Sequence, residues 1–188
     1  MNKSILITIV VIAVLAIALL VFVKPSLNLN NIGIPGLNSF QDFSGVDVND
    51  FVVYRDPSGF EIAYPNSMRA EIPEAGAESA VKVQFVGIAP GVGEIMQIVL
   101  TSDSIDALRN SILSDLDAQQ KQTLSEGNAF SARIIQFETP SDAGDVIVRY
   151  ALFSCSGQTA VFTALIPVSL RDDLKAVNYM TSTFKCNT

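Results

Sequence analysis

The chain has 188 residues, 49% of them hydrophobic and 16% charged, with a mean hydropathy of +0.38 and a formal charge of −7. That length accommodates one ordinary domain plus a membrane anchor but not two independent cores. Residues 51–188 carry ten Lys or Arg against sixteen Asp or Glu, a net of −6, which argues against nucleic acid, held by clustered cations, and against adsorption on anionic headgroups.

Ile5 to Val23 is a run of 19 residues whose only polar member is Thr8. As a helix it would span about 28 Å, the thickness of a bilayer's hydrocarbon core. A cleaved secretory signal has a shorter apolar core, about 7–15 residues, before a small-x-small site. Here Ala16-Ile17-Ala18 lies inside the run, with Leu19 to Val23 still to come. Residues 1–24 are therefore expected to be an uncleaved transmembrane anchor, with residues 5–23 in the membrane. Lys3 and the terminal amine precede the run, while Lys24 and an acidic domain follow it. This bias places the N-terminus in the cytoplasm and the C-terminal domain outside, in a single-pass arrangement.

Residues 25–50 shift to Asn, Gly, Ser and Pro with no hydrophobic period. That composition predicts a flexible linker with an r.m.s. reach of about 25–30 Å. Phe40 and Phe43 are placed to dock onto the domain, which would order the last third of it.

The domain is expected to begin at Phe51. FVVY and FEIAY flank Arg55-Asp56-Pro57-Ser58-Gly59, where Pro sets a turn dihedral and Gly tolerates positive φ, predicting a hairpin. VKVQFV and EIMQIVLT form a second hairpin around the glycines of Gly87 to Gly93, which read as a mobile tip. Between Ser104 and Gln120 the period changes: Ile105, Leu108, Ile112, Leu113 and Leu116 line one face of a helix. Asp103 is its expected N-cap and its end is expected between Lys121 and Gly127. SARIIQFET, DVIVRYALFSC and TAVFTALIP then predict three antiparallel strands, the middle one apolar on both faces and so covered on both. A closing helix is expected from Ser169, with Asp172 at the capping-box position and Leu170, Leu174, Val177 and Phe184 on one side. Together these elements predict an α+β fold, one antiparallel sheet of about 6–7 strands with two main helices on it.

Gly59-Phe60-Glu61-Ile62-Ala63-Tyr64-Pro65 near the start of this order and Thr183-Phe184-Lys185 at its end resemble the PsbP-like α/β/α sandwich family, named for an extrinsic subunit of photosystem II. The resemblance covers about residues 51–188 and implies a small extracytoplasmic module that assists or binds other components. Members often carry Trp shortly after the Tyr-Pro pair, where Met68 stands here. With no His in the chain, the histidine metal sites of some photosystem members have no counterpart.

The lack of His also removes the usual general base, Ser-His and Cys-His nucleophile pairs and imidazole metal ligation. Ser154-Cys155-Ser156-Gly157 mimics a nucleophile elbow, but the leading Gly is missing and a strand-to-strand turn is expected there. The close carboxylate pairs Asp103/Asp106, Asp115/Asp117 and Asp172/Asp173 could in principle serve glycoside hydrolysis. Their placement at helix starts and on a solvated helix face favours capping and solubility. Asp47-Val48-Asn49-Asp50 hints at calcium but lacks the Gly and Glu of a calcium loop. No metal or cofactor is therefore expected.

Cys155 and Cys186 are an even pair and the disulfide candidate, suited to an oxidising compartment, with two buried thiols as the other reading. Arg149 interrupts an apolar strand and is the candidate ligand-binding residue. A buried guanidinium needs either a core acid or a ligand-facing surface. The expected function is a non-enzymatic, membrane-tethered binding or assembly module whose partners are envelope or membrane proteins, or a small ligand. The other readings are a carboxylate-dependent hydrolase of envelope polymers and a structural envelope protein.

Overall fold

The structure is a computed structural model that describes residues 40–73, 80–87, 95–118, 125–140 and 144–186. The anchor expected over residues 1–24, most of the linker and the tip over 88–93 lie outside the described residues. Among the described residues no helix is long and apolar enough to cross a membrane.

Among the described residues, ten strands and two α-helices form two antiparallel sheets with helices packed on them, rather than the single sheet expected from the sequence. A three-stranded sheet has the order β1-β2-β10, with β1 Phe51–Arg55, β2 Phe60–Pro65 and β10 Lys185–Cys186. The large sheet has the order β3-β4-β5-β9-β8-β7-β6. Its strands are β3 Met68–Glu71, β4 Val81–Gly87, β5 Ile95–Thr101, β6 Ser125–Ala129, β7 Ala132–Thr139, β8 Val146–Cys155 and β9 Gln158–Pro167.

The first hairpin forms as the turn chemistry dictates. Asp56 accepts from the Ser58 backbone N–H, and Gly59 closes the turn at φ 96°. Strands β3, β6 and β10 carry no long β-branched run, and β6 reads Ser-Glu-Gly-Asn-Ala. They become strands by pairing with β4, β7 and β2, a tertiary effect that outweighs local propensity. The first described helix, α1, spans Ile105–Ala118, and Gly127, the far limit expected for its end, belongs to β6.

Two caps differ from expectation. Ser104, not Asp103, accepts from the Ala107 N–H at the start of α1. The Asp103 carboxylate instead accepts from the Thr101 hydroxyl at 3.0 Å. The closing helix begins as a 3₁₀ segment, Val168–Asp173, kinked at Leu170, and becomes regular only in α2, Leu174–Thr183, with no side-chain cap at its start. With Pro167 leading in, Ser169 lies inside the 3₁₀ turn rather than before a helix.

Strand β8 is buried on both faces, and its side chains alternate between two cores. On one face Ile147, Ala151 and Phe153 meet α2, the small sheet and Phe40. On the other Val148, Tyr150 and Leu152 meet Leu108, Ile112 and Leu116 of α1. This is the layered α+β arrangement expected, with the small sheet added beside α2.

Candidate functional site

Arg149 lies at the centre of the α2-side core, 2% exposed. Among the described residues no carboxylate pairs with it; its neighbours are amide oxygens and an aromatic ring. Gln136 Oε1, directly opposite on β7, accepts from Arg149 Nε at 2.8 Å and also from Nη2. Asn178 Oδ1, on α2, accepts from Nη1. Phe40 lies over the guanidinium with 5.2 Å between its ring centroid and Cζ, a cation–π contact strengthened by the lack of water.

Burial pushes the guanidinium down to about 9, still protonated at neutral pH. Gln136 and Asn178 are 3% and 2% exposed, so the three polar side chains form a sealed cluster. Asn178 Nδ2 also donates to the Asp42 backbone oxygen at 2.9 Å, tying the segment before β1 to the same cluster. Phe40 is fully buried, as its expected docking required, and Phe43 packs on Phe130 and Tyr179 with centroids 5.5 and 6.3 Å away.

Cys155 and Cys186 are bonded, with Cα atoms 5.4 Å apart, joining β10 to the end of β8. The Ser156-Gly157 step is a strand-to-strand turn with φ of 43° and 83°, so the elbow-like string is a hairpin end.

The carboxylates read from the sequence are dispersed. Asp47 caps a 3₁₀ turn at Val48–Asp50 by accepting from Asn49 N–H. Asp115 and Asp117 are exposed on α1, and Asp172 and Asp173 sit in the 3₁₀ segment. Among the described residues no group of three His, Cys, Asp or Glu could hold a metal ion.

Sequence reasoning missed Glu126. It accepts from Arg109 of α1 and from Arg133 of β7, the latter at 2.9 Å to Nε and 2.7 Å to Nη2. Arg109 holds its carboxyl below the usual carboxylate range. Beside it an open groove of about 320 Å³ is lined by Ile105, Asp106, Asn128, Ser131, Ala132 and Arg133. The β6–β7 register and the packing of α1 beside it bring these residues together, so no local motif announces them.

No family model matches the chain, and no curated protein matches it. Solved structures do. Cyanobacterial PsbP (CyanoP) from Synechocystis sp. PCC 6803 superposes with a TM-score of 0.52 at 16% identity, covering 76% of this chain and 96% of that one. A protein from Bacteroides thetaiotaomicron VPI-5482 gives 0.51 at 10% identity, covering 74% of this chain and 49% of its own. The Ran-binding protein Mog1p of Saccharomyces cerevisiae gives 0.50 at 10% identity, covering 72% and 95%. Identities this low speak to architecture alone.

The two strings that resembled the family pair with each other in space. Lys185 and Cys186 lie opposite Glu61 and Phe60, Thr183 Oγ1 accepts from Ala63 N–H, and Phe184 stacks on Phe60 and Phe153. With that junction and this architecture, the chain has the PsbP-like fold.

Proposed function

We propose that the chain is a membrane-tethered, extracytoplasmic binding or assembly module that works without catalysis. The reading is supported above all by the segment through which the tether joins the domain. Phe40 is fully buried beside Arg149, and Asn178 donates to the Asp42 carbonyl, so the end of the tether is docked on the domain. The apolar run Ile5 to Val23 supplies the anchor, and the Cys155–Cys186 bond suits an oxidising compartment. The groove between α1 and β6–β7, with Arg109, Glu126 and Arg133 at its side, offers a polar surface for an envelope or membrane partner.

The test is photo-cross-linking in intact cells, with a benzophenone amino acid at Asn128 and a cysteine at exposed Val53. The expected result is a discrete adduct at Asn128 and labelling of Val53→Cys by a membrane-impermeant maleimide before lysis. Labelling only after lysis, or no adduct above that of an anchor-only chain, overturns the reading.

A further inference from the structure

A guanidinium carries five N–H donors in a planar fork and a full positive charge. Among the described residues, the donors of Arg149 meet the dipoles of Gln136 and Asn178 and no carboxylate. In a water-excluded core, dipoles compensate a charge incompletely, and an anion would bind there far more strongly than at the surface.

The side that closes the cluster differs in kind from the others. Gln136 and Asn178 come from a central strand and a helix, whereas Phe40 comes from a segment outside both sheets. The residues that follow it, Gln41 to Gly45, are exposed. Among the described residues this segment is held, beyond Phe40 itself, by the Asn178 bond to the Asp42 carbonyl, by Phe43 on Phe130 and Tyr179, and by attraction between the Asp42 carboxylate and Lys175. Asn178 therefore serves both parts, with Oδ1 on Arg149 and Nδ2 on the segment that covers Arg149. A group that took over the Nη donors would displace Asn178 Oδ1 and loosen its grip on Asp42.

We propose that Arg149 is a carboxylate-recognition site capped by the Phe40 ring, and that a ligand reaches it when Phe40 to Phe43 swing away. This names the ligand class for the binding module proposed above and rests on that reading. A carboxylate matches the fork with two parallel N–H···O bonds. Phe40 belongs to the apolar core that also holds Ile147, Ala151 and Val177, so a ligand taking its place is an organic acid with an apolar, ring-sized body.

The experiment uses the full chain in detergent with benzoate as the probe and benzyl alcohol as its uncharged counterpart. Phe40→Ala is expected to bind benzoate about tenfold or more tightly than the parent, because the parent must first open. The same variant should prefer benzoate to benzyl alcohol by a similar factor, and Phe40→Ala with Arg149→Met should lose that preference. In the parent, benzoate should speed amide exchange at residues 41–46 and leave β8 unchanged.

Equal binding of the two probes, a preference that survives Arg149→Met, or unaltered exchange overturns the proposal. Should Phe40→Ala fail to fold, Phe40→Leu keeps an apolar plug without the ring and allows the same comparisons. A chain that forms the Asn128 adduct but ignores benzoate loses this site and keeps the broader function.

Discussion

Arg149 was legible as an anomaly, a charge inside an otherwise apolar strand, but its partners were not. Gln136 lies 13 residues away and Asn178 lies 29 away, and only the β7–β8 register and the seating of α2 bring them together. Removing the guanidinium takes a hydrogen-bond donor away from two buried amide oxygens, and each such loss in a core costs about 1–3 kcal/mol. Arg149→Met is accordingly expected to lower stability by about 2–4 kcal/mol in urea titrations. Adding Gln136→Leu should recover part of that loss, because the buried amide that lost its donor is then replaced by an apolar side chain of similar volume, while Asn178 is kept to hold the Asp42 carbonyl. On the opposite face burial, reinforced by Asp115, raises Tyr150 to about 12. The unfolded chain ionises this phenol near 10 while the folded chain keeps it neutral, so its contribution is complete below pH 10 and is lost as pH climbs towards 12. Tyr150→Phe should therefore lose less stability over that window, by up to about 1.4 kcal/mol per pH unit. The difference from the parent isolates Tyr150, since Tyr54, also raised to about 12, and Arg149, lowered and so acting in the opposite direction, are common to both proteins.

Among the elements, those with a strong period were readable from the chain. Leu108, Ile112 and Leu116 are buried along α1, and the three long strands lie within a residue or so of their expected limits. Strands β3, β6 and β10 were not readable, because each is short and borrows its conformation from a neighbour. The β6–β7 turn shows why local chemistry misled. A two-residue turn with positive φ at both positions normally takes Asn-Gly, yet here Phe130 and Ser131 adopt φ of 52° and 62°. The Phe130 ring rests on Phe43, so a tertiary contact holds a backbone state that the residues themselves disfavour. Ser131→Gly should relieve part of this strain and raise stability by about 0.5–1 kcal/mol. In the β8–β9 turn Gly157 already occupies the corresponding place at φ 83°, and Gly157→Ala should cost about 1 kcal/mol or more. Urea midpoints of the two variants against the parent give both numbers.

At the scale of the whole molecule, the closing element is held by its side chains and its covalent bond more than by its strand. Among the described residues β10 contributes two to the small sheet, yet it carries Cys186, bonded to Cys155 in the large sheet, and it follows Phe184, stacked on Phe60 and Phe153. The even cysteine pair made this bond an expectation from composition, although nothing in the sequence revealed that it would join the two sheets. Closing a loop of 31 residues restricts the unfolded chain and should stabilise the domain by about 3–4 kcal/mol on chain-entropy grounds. Cys155→Ala with Cys186→Ala is expected to lower the unfolding free energy from urea titrations by that amount, and reductant should lower the parent to nearly the same value while leaving the double variant unmoved. Because Phe184 keeps its ring contacts without the bond, the double variant should still fold, and its near-ultraviolet circular dichroism should match the oxidised parent. If reductant instead abolishes that signal at room temperature without denaturant, the aromatic stack depends on the covalent tie and the two sheets do not associate without it.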